Sequence, residues 1–201
     1  MELRFPGYTM SSAFPNYTQH RKGGLSMKLE LFFDYICPYC YRGHRMFLEL
    51  LPLYPGLEVV WRPCESHPRP ENTYRHSDMA IQGMYYLEER GGDLSSYHQL
   101  VYEAHFEKGL DISDCSVLAG LAARCGADSQ AFTEALDQNR YAGKVEEGNR
   151  YAWETLRLNA VPSYLAVPEG PDLKGRGPMI GSRDGIPVTR RELEQFLANL
   201  K

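Results

Sequence analysis

Hydrophobic and polar positions divide the chain into two strand-bearing ends and a helical middle. Residues 28–35 alternate between polar and apolar positions and are rich in Leu and Phe, which predicts a buried strand. Residues 41–53 carry apolar side chains at helical spacing, and residues 57–62 (LEVVWR) predict a second short strand. The order strand, helix, strand predicts a βαβ unit whose two strands are parallel and joined by a right-handed crossover.

The next hundred residues show helical periodicity and no convincing strand. Five helices are predicted there, at residues 73–90, 94–108, 114–125, 129–138 and 141–158. Strand character returns at 163–167 and, more briefly, at 178–182. A capping box from Thr189 to Glu192 then begins a final amphipathic helix. The predicted fold class is α/β, in the order βαβ, a large all-helical insertion, then ββα.

This pattern predicts a domain organisation as well as elements. Residues 27–66 and 159–201 should form one small sheet domain, and residues 67–158 should be a helical insertion domain between its halves. The first 26 residues mix Pro, Gly, Ser and scattered aromatics without any period, and they lack the apolar stretch of a secretion signal. We expect residues 1–26 to be a poorly ordered extension or a cloning remnant.

Composition and charge narrow the function classes. The 201-residue chain is 43% hydrophobic and 24% charged, as is usual for globular domains, and no apolar run approaches the length of a membrane-spanning helix. The formal charge is −4, with 22 basic and 26 acidic residues, which provides no electrostatic footprint for nucleic acid. We therefore expect no nucleic-acid partner, no membrane partner and a cytoplasmic location.

The most specific chemistry lies in the sequence Cys-Pro-Tyr-Cys, at the predicted turn from strand to helix. The unpaired N–H groups and positive dipole end of a helix N-terminus favour an anion, so Cys37 should be largely thiolate at neutral pH. Pro38 suits the first turn because it lacks an N–H and presets a helical φ. Cys40, one turn later, should be buried and protonated. The pair predicts thiol–disulfide exchange, in which Cys37 attacks and Cys40 resolves the mixed disulfide.

The cysteine spacing is also compatible with a packing role or a metal site. The two cysteines could be helix-packing residues, or Cys37, Cys40, Cys64 and His67 could bind zinc, since their spacing C-x2-C-x23-C-x2-H is acceptable for a four-ligand site. The apolar sequence around the pair and the size of the domain argue against a structural metal. No metal ligand is predicted.

Polar residues near the pair are candidates to assist the chemistry. Asp34, Glu65 and His67 precede the pair or follow the second predicted strand, and each could accept the proton of Cys40 or serve only as a capping or solvated residue. His44, four residues after Cys40, could favour the thiolate when it is protonated. A surface position is the simpler prediction for His44.

The helical block contributes two further cysteines and many aromatic side chains. Cys115 and Cys125 would be about 15 Å apart on one continuous helix, beyond the reach of a disulfide, so each is predicted to be a small buried hydrophobe. Most of the aromatic residues should be core, and some could line a groove facing the cysteine pair: Tyr85, Tyr86, Tyr97, Tyr102 and Phe106.

Several segments resemble the DsbA-like branch of the thioredoxin superfamily. FFDYICPYC and AVPSYLAV are similar to its two diagnostic elements, while WRPCESHPRPEN and HFEKGLDISDCSVLAGLA are similar to its cytoplasmic FrnE-type members. The resemblance spans about residues 27–200 and implies a thioredoxin fold with a helical insertion. It also implies a dithiol–disulfide oxidoreductase or isomerase, with Cys37 as nucleophile and Cys40 as resolving cysteine. Substrates would be disulfide- or thiol-containing proteins or small molecules; no cofactor is expected beyond glutathione as a redox partner.

The resemblance assigns roles to four more residues. Pro38 and Tyr39 match the dipeptide that tunes the reduction potential. Pro162 matches a cis-proline that packs against the active-site disulfide, although the sequence alone would favour a trans bond. The backbone of Val161 would pair with substrate peptide. One departure is Cys64, where similar proteins often have a large apolar residue; it is either a buried substitution or an extra thiol.

Direction and rival activities stay open at this level. A cytosolic glutathione poise would keep a pair of thioredoxin-like potential reduced, which favours a reductase or isomerase over a net oxidant. Kappa-class glutathione transferases and 2-hydroxychromene-2-carboxylate isomerases are a different class of enzyme with the same fold. They carry Ser at the nucleophile position and lack the pair, so Cys40 argues against them. A non-catalytic, redox-sensing binding module is the third hypothesis.

Overall fold

The computed structural model describes residues 27–71, 75–167, 177–183 and 185–200, and its centre is a four-stranded mixed sheet. The strand order is β2-β1-β3-β4; β1 and β2 are parallel, and the other two neighbouring pairs are antiparallel. The strands are β1 (Met27–Phe33), β2 (Leu57–Pro63), β3 (Ser163–Val167) and β4 (Met179–Gly181). The four predicted strands are confirmed. The extension predicted at residues 1–26 lies outside the described residues.

The described residues include seven α-helices. The first connects β1 to β2, the last follows β4, and five lie between β2 and β3, as the hydrophobic pattern predicts. They are α1 (Pro38–Leu50), α2 (Asp78–Glu89), α3 (Leu94–Tyr102), α4 (Cys115–Ala123), α5 (Ser129–Asp137), α6 (Ala142–Asn149) and α7 (Arg190–Ala198). In the described part of the chain, no helix is both long enough and apolar enough to cross a membrane.

Helix starts follow the capping chemistry of the sequence. Asp114 and Asp128 each accept a backbone N–H at the first turn of α4 and α5. Thr189 and Glu192 form the predicted capping box, with both reciprocal hydrogen bonds present. These short-range contacts explain why the predicted starts of these helices are accurate.

Two predicted helices end differently. The segments predicted at 94–108 and 141–158 each finish in a π-helical turn, Glu103–Glu107 and Arg150–Thr155. In the first, the N–H of Lys108 donates to the carbonyl of Glu103, five residues back. Each of these turns is the last of its segment, so no later helical turn follows in which a shifted pattern of apolar positions would show. The sequence pattern therefore did not reveal either turn.

The sheet and the helical block share one continuous hydrophobic core. Its most polar part contains His44, which is only 4% exposed, together with His98 and the ring of Trp61. The predicted surface position of His44 is wrong. The reason is helical geometry: His44 lies one turn after Cys40, on the face of α1 that packs against the sheet and α3.

We expect Gly83→Ala to destabilise the protein by about 1–3 kcal/mol, because the new methyl group would overpack the core. A Cβ at Gly83 in α2 would overlap the hydroxyl oxygen of Tyr97 and would lie 2.8 Å from the Phe132 ring. The Tyr97 hydroxyl donates a buried hydrogen bond to the Ala80 carbonyl, which the methyl group would displace. Urea unfolding at equilibrium measures the change.

The matched control is Gly120→Ala in the interior of α4, where a Cβ would meet no atom within 4 Å. Alanine there should stabilise the protein by about 0.5–1 kcal/mol, because glycine loses more backbone entropy in a helix. If both variants gained stability, the packing of α2 against Tyr97 would not be as close as the structure shows.

Candidate active site

The cysteine pair lies at the N-terminus of α1, directly after the turn that follows β1. Cys37 is the N-cap residue with an extended backbone, and its sulfur accepts the backbone N–H of Cys40 at 3.3 Å. Pro38 occupies the first helical turn and is exposed to solvent, and Tyr39 is half-buried. Cys37 is half-buried, whereas Cys40 is buried.

The two thiols have opposite electrostatic environments. A hydrogen bond from the Cys40 thiol, together with the N–H groups of Cys40 and Tyr39, lowers the pKa of Cys37 below its ordinary value, against the opposing effects of burial and of the Asp34 charge. Cys40 is fully buried, and burial raises its pKa well above the usual range. The site therefore combines a half-buried thiol that ionises readily, Cys37, with a buried thiol that stays protonated, Cys40.

Pro162 approaches the pair from β3. The Val161–Pro162 peptide bond is cis, as the resemblance implies, and both residues are buried. The carbonyl oxygen of Val161 lies 3.6 Å from the sulfur of Cys37, which donates to it. The ring of Pro162 packs on α1 at Gly43, where a Cβ would come within 3.0 Å of its Cγ. The predicted juxtaposition of Val161 and Pro162 with the cysteine pair is therefore present.

Asp34 organises the turn before the helix. Its carboxylate is fully buried and accepts the N–H groups of Ile36 and Ser66 at 3.2 and 2.7 Å. Its carbonyl accepts the N–H of Cys37 at 3.3 Å, and its own N–H donates to the Cys40 sulfur at 3.5 Å. Asp34 therefore contacts the pair through its backbone, while its side chain holds the loops after β1 and β2 together.

The other two candidate proton acceptors lie elsewhere. Glu65 is buried and bonded to Asn149 through its N–H and one carboxylate oxygen, and burial raises the pKa of its carboxyl group. His67 is exposed and pairs with Glu71 at 2.9 Å. Within the described part of the chain, neither side chain hydrogen-bonds to Cys37 or Cys40.

The remaining cysteines are separate from this site. All five cysteines are free. Cys64 is fully buried and donates its N–H to the Phe33 carbonyl at 2.9 Å; Cys125 is buried as predicted, whereas Cys115 is only half-buried. Among the described residues, no three His, Cys, Asp or Glu side chains are grouped to hold a metal ion. The alternative zinc set of Cys37, Cys40, Cys64 and His67 is thus not brought together.

An aromatic surface adjoins the pair; the sequence predicts Phe106 as a candidate for it but not Tyr41. Tyr41 follows Cys40, and its ring stacks on Phe106 at 5.3 Å and 4°. Its hydroxyl donates to the carboxylate of Glu107, so the π-helical turn is attached to the start of α1. The only available signal was the position of Tyr41 directly after the cysteine pair. Of the aromatic residues predicted in the helical block, three are buried core: Tyr86, Tyr97 and Tyr102.

Comparison with known proteins identifies a family and several proteins to which this chain is similar. A family model described as DSBA-like thioredoxin domain matches residues 28–179. The uncharacterized protein YwbO of Bacillus subtilis is 22% identical over 176 residues, covering 70% of this chain and 87% of that protein. The probable DsbA oxidoreductase SCO1869 of Streptomyces coelicolor has a TM-score of 0.65 at 19% identity, covering 87% of this chain and 89% of its own.

Two further solved structures share the fold. The cytosolic disulfide reductase DsbM of Pseudomonas aeruginosa has a TM-score of 0.61 at 17% identity, covering 87% of this chain and all of its own. A 2-hydroxychromene-2-carboxylate isomerase has the same TM-score and identity, covering 87% of this chain and 94% of its own. At these identities the structural likeness shows the fold, and it is the thioredoxin fold with a helical insertion that the sequence predicts.

The reactivity of Cys37 should depend on Cys40. The rate of alkylation of Cys37 by iodoacetamide should follow a pH midpoint below that of an ordinary thiol. Cys40→Ala should move this midpoint to higher pH, because the thiol that donates to the Cys37 thiolate is lost. Peptide mass spectrometry resolves Cys37 from Cys115. Cys125→Ala, the control, should keep the wild-type midpoint; an unchanged midpoint in Cys40→Ala would contradict the hydrogen bond.

Burial of His44 should make the fold sensitive to acid. Burial lowers the pKa of His44 from 6.5 to about 4. Between these pH values the unfolded chain binds a proton at this residue that the folded protein does not. The free energy of unfolding therefore decreases as the pH is lowered, by about 3 kcal/mol for His44. His44→Phe should reduce that slope, measured by urea unfolding from pH 7.5 to 4. Above pH 7 the two curves should be parallel; identical slopes below pH 6.5 would contradict a buried neutral imidazole.

Proposed function

Because the chain belongs to the family of DSBA-like thioredoxin domains, we propose that it is a thiol–disulfide oxidoreductase that works through Cys37 and Cys40. The observation that carries this proposal is the asymmetry of the pair: a half-buried cysteine at the helix N-cap, whose thiolate is stabilised, beside a fully buried thiol that stays protonated. Thiol–disulfide exchange needs both, since one sulfur must attack and the second must wait.

The reaction proceeds in two exchanges. The Cys37 thiolate attacks one sulfur of a substrate disulfide; a mixed disulfide forms, and the other substrate sulfur leaves as a thiolate that takes a proton from water. Cys40 then loses its proton and attacks the sulfur of Cys37, which releases the second substrate thiol. The substrate disulfide gains two electrons, and the enzyme dithiol becomes a Cys37–Cys40 disulfide. A thiol donor such as glutathione returns the enzyme to the dithiol.

Substrate would bind across the cis-proline. The Val161 carbonyl lies directly at the Cys37 sulfur, in position to face the backbone of an extended peptide. The buried Pro162 follows Val161, and the exposed Pro38 and half-buried Tyr39 follow Cys37 in the same turn. These four residues are the proposed substrate-facing positions, and Pro38 and Tyr39 also set how readily the disulfide is reduced.

The reducing or isomerising direction and a cytoplasmic setting complete the proposal. The solved relative described as a cytosolic disulfide reductase supports both. In a compartment with a cytosolic glutathione poise, a pair with a thioredoxin-like potential is mainly reduced, and only the reduced form can attack substrate disulfides.

A glutathione-dependent transferase or isomerase is the alternative activity. The solved 2-hydroxychromene-2-carboxylate isomerase shows that the same fold occurs in such a protein. The N-terminal turn of α1 would stabilise a bound glutathione thiolate by the same N–H groups that favour the Cys37 thiolate. The buried resolving thiol of Cys40 has no role in that chemistry, which is why thiol–disulfide exchange is preferred.

Reduction of insulin disulfides tests the proposed function. The wild-type protein should accelerate insulin reduction by a thiol donor, and Cys37→Ser should fall to the background rate because the nucleophile is lost. Cys40→Ser should accumulate a mixed disulfide on Cys37, visible by mass spectrometry without reductant. Cys115→Ser, the matched control, should retain wild-type turnover because Cys115 lies apart from the pair.

Two outcomes would contradict the proposal in different ways. If wild type and Cys37→Ser were equally inactive on disulfides while glutathione conjugation or isomerisation was robust, the transferase or isomerase alternative would replace it. If neither activity appeared, the chain would be a redox-sensing binding module.

A further inference from the structure

Glu65, in the loop after β2, is held by the helical block at three points. Its N–H donates to the side-chain oxygen of Asn149 at 2.7 Å, and the side-chain amide of Asn149 donates to its carboxylate at 2.9 Å. The indole N–H of Trp153 donates to the Glu65 carbonyl at 2.8 Å. Glu65 is buried, so these bonds are shielded from water. The last residue of α6 and the π-helical turn after it therefore fix the backbone of this loop.

Helix α6 also lies directly against the end of β2. A Cβ at Gly148 would come within 2.7 Å of the carbonyl oxygen of Pro63, the last residue of β2, so a side chain there would push α6 and β2 apart. Glycine inside a helix costs stability relative to alanine. The close approach at Gly148 and the hydrogen bonds of Asn149 are two independent observations of the same contact.

The loop held in this way contacts the turn that carries Cys37. Its next residue, Ser66, donates its N–H to one carboxylate oxygen of Asp34 at 2.7 Å, and the N–H of Ile36 donates to the other at 3.2 Å. The carbonyl of Asp34 accepts the N–H of Cys37 at 3.3 Å. A continuous path of hydrogen bonds and peptide backbone therefore connects the Asn149 side chain to the N-cap of α1.

We propose that Asn149 is a positioning residue for the cysteine pair: by fixing the loop after β2, it keeps the Ser66 N–H on the Asp34 carboxylate and so sets the reactivity of Cys37. This inference rests on the proposed function, because it names a residue that tunes that reaction from the helical block. Asn149 acts through the loop and does not touch the reacting sulfur atoms.

Two physical effects determine the direction of the expected change. An Asp34 carboxylate without the Ser66 N–H keeps more of its negative charge uncompensated, and that charge raises the pKa of Cys37. A looser turn also weakens the hydrogen bond from the Cys40 N–H to the Cys37 sulfur. Both effects disfavour the thiolate. Because a stabilised thiolate favours the dithiol form, loss of the Asn149 contact should also make the pair easier to oxidise.

Alkylation of Cys37 by iodoacetamide, followed by peptide mass spectrometry, measures the pH midpoint of its reactivity. In Asn149→Ala this midpoint should rise by about half a pH unit or more, the effect of one lost hydrogen bond. In glutathione buffers at neutral pH, the ratio of disulfide to dithiol should increase about threefold or more. Gly148→Ala should change both quantities in the same direction, because it separates α6 from β2 without removing a polar group.

Each variant has a matched control in the helical block. The buried side chain of Gln82 accepts the N–H of Tyr141 and donates to the side chain of Asn139, both at 3.3 Å. Gln82→Ala should lower the free energy of unfolding, as Asn149→Ala does, but keep the wild-type midpoint and ratio. Gly143→Ala, at the other end of α6, should also keep both, because a Cβ there meets no atom within 4 Å.

The conservative variant Glu65→Gln separates position from charge. Glutamine keeps an acceptor for the Asn149 amide and keeps the backbone bonds of residue 65, but it removes the carboxylate charge. The Cys37 midpoint should therefore stay close to that of wild type. A rise as large as that in Asn149→Ala would assign the effect to the charge of Glu65 and overturn the positioning role.

The remaining outcomes overturn one proposal or both. An unchanged Cys37 midpoint and ratio in Asn149→Ala overturns the positioning role, while a wild-type pair that forms its disulfide still supports thiol–disulfide exchange. An equal rise in Gln82→Ala also overturns it, because the effect would follow any loss of stability. If Asn149→Ala does not fold, Gly148→Ala and its control decide alone. A wild-type Cys37 that titrates as an ordinary thiol and forms no disulfide with Cys40 overturns the proposed function and the role of Asn149 with it.

Discussion

The N-terminal turn of α1 is the feature on which the rest of the site depends. There the Cys37 side chain takes the place of an ordinary helix cap and accepts the N–H of Cys40. A thiolate satisfies that donor better than a thiol does, so the helix is better capped when Cys37 is ionised. The same hydrogen bond therefore caps the helix and stabilises the Cys37 thiolate. Any group that changes the position of this turn changes the pKa of Cys37.

Three parts of the chain hold the turn in place. Asp34 joins the ends of β1 and β2 through its buried carboxylate and binds both cysteines through its backbone. The cis Val161–Pro162 segment closes the opposite side and brings a carbonyl to the Cys37 sulfur. Gly43 lets β3 approach α1 closely. The pair is therefore positioned by the sheet, and the helical block contributes through the aromatic residues that pack beneath it.

The core beneath the pair contains two buried histidines, and both are uncharged at neutral pH. His44 and His98 are buried among Trp61 and tyrosine rings, and burial lowers the pKa of each, so both are neutral at neutral pH. His44 therefore supplies no positive charge to the Cys37 thiolate at that pH. The low pKa of Cys37 arises instead from hydrogen bonds donated by Cys40 and by the backbone, which are local to the turn.

By itself the sequence determined the elements, their order, the position of the cysteine pair at the start of a helix and, through its resemblance, the cis-proline near it. These follow from periodicity, capping residues and short motifs, all of which act between residues close in the chain. Only the tertiary structure decided that His44 is buried and that Asp34 contacts the cysteine pair through its backbone. Each depends on which side chains from distant segments share a small space, because burial is a property of that packing and has no local signature.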